Sequence, residues 1–169
     1  VPIHDELVVS LHDELNTTTM NRKSSLVKLL QQEHKDFTTA DLTFPTLVGL
    51  MESKNQDISR LAGHILNLYH LNANILESPY YLFGSDDVMK LLTANVSISQ
   101  SAIENELNER SRNGSNMGKF DAILHFVTSN PRKTLIATNY RNSAELTHKL
   151  FTRRGIQNEL IVGDQDKNI

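Results

Sequence analysis

The chain has 169 residues, 38% hydrophobic and 22% charged, with a net charge of −3. This is room for one ordinary domain, or for one domain plus a fragment of another. It is too apolar for a disordered chain and too evenly charged for a uniformly basic nucleic-acid coat. With no cysteine, disulfide frameworks, thiolate metal sites and Cys nucleophiles are excluded.

The chain opens on Val1 rather than Met and reads as a processed or excised piece. No apolar run approaches the roughly 18 residues of a membrane span, and no charged-then-apolar leader is visible. The expected location is intracellular, nuclear or cytoplasmic, with no membrane partner. The Asn-x-Ser/Thr sites at Asn16, Asn95 and Asn113 then read as chance. Residues 1–15 contain His-Asp-Glu-Leu twice, at His4–Leu7 and His12–Leu15. As a retention signal this works only at a C-terminus, and eight-residue spacing on a helix makes a poor metal clamp. A short strand or irregular entry segment on Leu7, Val8, Val9 and Leu11 is expected instead.

Helices are expected over 24–35 (Leu26, Val27, Leu29, Leu30) and over 45–54, where Pro45 suits a first turn. The strongest helical pattern runs from Ile58 to Leu76, with Asp57 as N-cap and Pro79 as stop. His64 and His70 on it read as surface or hydrogen-bonded histidines. Shorter helices are expected over 86–93 and 98–112. Residues 113–118 are the linker candidate; Gly114 and Gly118 have the wrong spacing for a phosphate loop, and Phe120 follows Lys119 where Ser or Thr is required.

Beyond the linker the period changes. A helix over 119–129 is followed by the short apolar run KTLIAT (133–138). A second helix over 142–154 stops at Gly155, and NELIV (158–162) follows. This alternation predicts a βαβ unit in a parallel sheet. The expected fold class is therefore α/β and predominantly helical: a helical region over 1–112, then a partial α/β segment over 119–169.

Residues 118–166 resemble the opening of the second RecA-like domain of superfamily-two helicases and Swi/Snf-type translocases. In that family a Lys-led helix (Lys119–Val127) precedes a strand (Leu135–Thr138). A helix (Ser143–Arg154) ended by Gly155-Ile156 follows, and then a strand closed by Gly163-Asp164. Residues 66–83 resemble the Swi/Snf segment in which a helix enters a His-Pro-Tyr-Leu-like turn. Ser78 stands where that family has His, and Pro79, Tyr80 and Leu82 keep the rest. The resemblance implies part of an ATP-dependent nucleic-acid helicase or translocase, a hydrolase inactive alone. ATP and Mg²⁺ would bind only with the other RecA-like domain, which carries the nucleotide loop and acidic motif. Implied partners are nucleic acid, DNA ahead of RNA, and a flanking helicase domain or larger complex.

The turn from Thr138 to Ser143 is the candidate site. A strand's carboxyl end meeting a helix N-terminus suits a phosphate, with Arg141 as charged donor and Asn139, Asn142 and Ser143 as neutral ones. Equally, Asn142 or Ser143 caps the helix and Arg141 is solvated. The resemblance places a second nucleic-acid-facing turn at Gly163 and Asp164. Lys149, Arg153 and Arg154 read first as complements to a helix dipole. No catalytic or metal residue is expected in this chain. The alternative is a non-catalytic interaction module, armadillo-like or helicase-like, because LVKLL, LVGLM and LAGHILNL look like helical-repeat segments, without a clean period.

Overall fold

The computed structural model describes residues 5–83, 86–113, 119–139 and 141–163. Among these are seven α-helices: α1 (Glu6–Leu30), α2 (Phe44–Leu50), α3 (Gln56–Glu77), α4 (Asp86–Thr93), α5 (Gln100–Asn113), α6 (Lys119–Ser129) and α7 (Arg141–Arg153). Short 3₁₀ turns lie at Thr39–Asp41 and Pro79–Phe83.

The expected irregular entry segment is instead the start of α1, which runs unbroken for 25 residues. Val8, Leu11, Leu15 and Thr19 continue at three- and four-residue steps, and Leu26 and Leu30 resume the stripe. In its polar middle the hydroxyls bond back along the helix, so that burial leaves the Thr19 hydroxyl paired. Thr17 donates to the Asp13 carbonyl at 3.0 Å and buried Thr19 to that of Leu15 at 2.7 Å. Asp5 caps the helix by accepting from the Val8 amide at 3.1 Å.

α1 and α3 lie antiparallel and share two apolar clusters. Val8, Leu11 and Leu15 meet Leu68, Leu71 and Ile75, joined by Leu82, Met89, Leu92, Ile103 and Leu107 from the following elements. Leu26, Val27 and Leu30 meet Ile58, Ala62 and Ile65, with Leu42 and Leu47 closing that end. Between the helices is a closed triangle of side chains. His12 Nδ1 donates to Asn72 Oδ1 at 2.8 Å, Asn72 Nδ2 to Asn16 Oδ1 at 3.1 Å, and Asn16 Nδ2 to His12 Nε2 at 3.0 Å. The α4–α5 connector is tied to α1: Thr18 donates to the Asn95 carbonyl at 3.1 Å, and the Ser97 amide to Glu14 at 3.0 Å.

The far end of α5 returns to the start of the chain. Arg110 Nη2 donates to Asp5 Oδ1 at 2.9 Å and Nη1 to Asp5 Oδ2, both side chains buried. Arg110 Nε also donates to Glu106 at 3.0 Å. The hydrogen bonds it donates to Asp5 hold the guanidinium pKa above its ordinary value, against the opposing effect of burial.

α3 is capped by Asn55, whose side chain accepts from the amides of Asp57 and Ile58, while Asp57 pairs with Arg60 at 3.0 Å. It ends at Ser78 before Pro79. α4, α5 and α6 fall where the periodicity places them, within two residues. α7 ends at Gly155, whose φ of 71° lets the Ile156 amide turn back to the Phe151 carbonyl at 3.0 Å.

The RecA-like parallel sheet is absent. Residues 133–138 and 158–162 are extended, but neither joins a ladder, and there is no strand among the described residues. α6 and α7 cover only one side of these runs. Ile136 packs inward and Leu160 is half-buried, while Leu135 is 89% and Ile161 79% exposed. Apolar runs of this kind mark parallel strands covered on both faces, and here no second layer covers them among the described residues. Two short segments without further strands make no stable sheet. What holds them is the cluster of Tyr80, Phe120 and Phe151 with Ile123, Leu146 and Leu150. Residues 114–118 of the expected linker lie outside the described residues.

Candidate functional site

Each residue of the predicted Asn139–Ser143 corner has a definite place where described. Asn139 is exposed. Arg141 Nε donates to Glu145 at 2.9 Å, one turn along α7. Ser143 is buried, and its hydroxyl donates to Asn74 Oδ1 at 2.8 Å, so it joins α7 to α3 rather than facing a phosphate. Gly163 lies in an exposed turn. The Asn142 side chain and Asp164 lie outside the described residues. Arg154 stacks over the Phe120 ring at 5.8 Å.

The concave feature nearby is a groove of about 850 Å³, between the end of α3, the helices α6 and α7, and both extended segments. Its walls are apolar where Ile123, Val127, Leu146 and Leu150 line it. Its polar end is built by the last turn of α3. There Thr138 donates to Glu77 at 3.3 Å, and Asn74, which receives Ser143, donates to the His70 carbonyl at 2.7 Å. His148 Nδ1 donates to Asn158 Oδ1 at 2.6 Å, and Asn158 Nδ2 to the Ile156 carbonyl at 2.8 Å. This pairing holds the second extended segment against α7.

Two features set the groove apart. Among the described residues the buried Ser78 hydroxyl has no hydrogen-bond partner, an arrangement that costs about 1–3 kcal/mol. The backbone groups of residues 133–137 make no hydrogen bonds among the described residues. Sequence periodicity hid both, because the helix reads as ending at Pro79 and KTLIAT reads as a paired strand.

Charge divides along the chain. Residues 119–163 carry seven Lys and Arg against three Asp and Glu, and residues 5–113 carry nine against fifteen. The groove thus belongs to a segment of net charge +4 beside a body of −6. Lys119 lines it where α6 begins, and Arg132 and Lys133 line it beyond that helix's end. Among the described residues no three His, Asp or Glu side chains converge to hold a metal ion. None of their helices is long and apolar enough to cross a membrane. The arrangement offers binding contacts: an apolar wall, free backbone groups and scattered cations.

Beneath this layer Tyr80 is buried, and its hydroxyl donates to the Leu107 carbonyl at 3.3 Å. Burial raises its pKa above the ordinary 10.0, outweighing the lowering by the Arg110 charge. The folded state holds the phenolic proton more tightly than the unfolded one. Its contribution to stability is therefore intact below about pH 10 and is lost as pH rises through the raised folded value. Melting temperatures across about pH 9–11.5 are expected to fall more steeply for the parent protein than for Tyr80→Phe. Parallel curves would remove Tyr80 from the alkaline transition.

No protein-family model, curated protein or solved structure matches the chain.

Proposed function

We propose that the chain is a non-catalytic helical interaction module, and that its docking face is the outer side of the two extended segments with the groove they border. The observation that carries this reading is the exposure of Leu135 and Ile161 on segments anchored on their inner side only. An apolar face left in water at such positions is characteristic of a surface that another chain covers. A photo-reactive amino acid at position 135 or 161 is expected to give discrete cross-linked species in cells. The same group at position 20, where Met20 is 52% exposed on α1, serves as control. Equal cross-linking from all three positions, or none from 135 and 161, overturns the reading.

The net charge of +4 over 119–163 favours a second reading, contact with a polynucleotide backbone as in a helicase or translocase. That reading requires oligonucleotide binding whose logarithm falls steeply and linearly with the logarithm of salt concentration.

A further inference from the structure

Resting on the docking reading, we infer that the groove's occupant is an extended peptide, apolar at alternate positions and acidic between them, which lies along residues 133–137 and takes a hydrogen bond from Ser78. Free backbone donors and acceptors on an extended segment are matched most directly by another extended backbone. Side chains of such a peptide alternate between its two faces. One set enters the apolar wall of Ile123, Val127, Leu146 and Leu150, and the other set faces solvent and the basic residues. At about 3.3 Å per residue, 133–137 accommodates roughly five to seven peptide residues.

Charge selects the acidic form. Lys119, Arg132 and Lys133 line the groove within the +4 segment. Of the two carboxylates lining it, Glu77 already receives the Thr138 hydroxyl. Ser78 supplies the anchor: it lines the groove, its hydroxyl has no hydrogen-bond partner among the described residues, and on docking it leaves its buried rotamer to donate to the peptide.

The experiment uses the full chain with labelled peptides of about seven residues, one alternating valine with glutamate and one alternating valine with lysine. Fluorescence anisotropy gives affinity and hydrogen exchange gives protection. The glutamate peptide is expected to bind at least about tenfold more tightly at low salt, with the gap narrowing as salt rises. It is expected to slow amide exchange at 133–137. Ser78→Ala is expected to weaken it roughly fivefold while the melting temperature of the free protein holds or rises. Equal affinity for the two peptides, unchanged exchange at 133–137, or an unaltered affinity in Ser78→Ala each overturns the inference. Site-specific cross-linking at 135 and 161 without glutamate-peptide binding would leave the docking face standing with a different occupant. Loss of both removes the docking reading as well.

Discussion

Arg110→Ala is expected to destabilise the fold by about 3 kcal/mol, a fall of roughly 10 °C in melting temperature. The alanine leaves the Asp5 carboxylate buried without its counter-ion, although the Val8 amide still donates to it. Most of the loss comes from that stranded charge rather than from the attraction itself. The double variant Asp5→Ser with Arg110→Met tests this account. Serine keeps the helix cap, methionine fills the space, and no charge remains buried. The double variant is expected to recover most of the stability lost in Arg110→Ala, as followed by urea unfolding with circular dichroism. If the double variant unfolds as readily as the single one, packing by the arginine stem rather than charge burial dominates.

Phe120→Ala carries the second large effect, about 3–5 kcal/mol, and it falls on one layer. Phe120 is 2% exposed, and its ring centroid lies 5.3 Å from that of Phe151. Tyr80 is the other buried member of the cluster. The remaining ties between this layer and the α1–α3 body include the Ser143–Asn74 and Thr138–Glu77 hydrogen bonds. Together these are worth about 1–3 kcal/mol, less than the substitution removes. α6 and α7 are therefore expected to lose amide protection while α1 and α3 keep theirs. Equal loss in all four helices would show a single cooperative unit.

The parts legible in the sequence were those where one signal dominated. α3 shows its apolar stripe and its Pro79 stop, and Gly155 marks the end of α7 with the only positive-φ glycine among the described residues. α1 was hidden because Asn16–Thr19 interrupts the apolar stripe with short polar residues, whose partners lie back along the helix or across the fold at Asn72 and Asn95. The sheet was expected from length and apolarity, which both extended runs possess. Strand pairing is a property of neighbours, and the local pattern carries no information about whether a second layer is present. At the predicted site the Thr138–Ser143 corner does join an extended run to a helix. Ser143 nevertheless points to Asn74, a contact across 69 residues that periodicity could not reveal.

The His12–Asn72–Asn16 triangle has a consequence for how α1 and α3 find each other. Two long antiparallel helices with leucine-rich stripes can slide by one turn, about 5.4 Å, and still bury much apolar surface. A slide of that size breaks both links to Asn72 at once, leaves only the Asn16–His12 bond within α1, and strands amide groups between the helices. The polar ring thus acts as an alignment key, giving up a little greasy contact so that only one meshing of the two rods is complete.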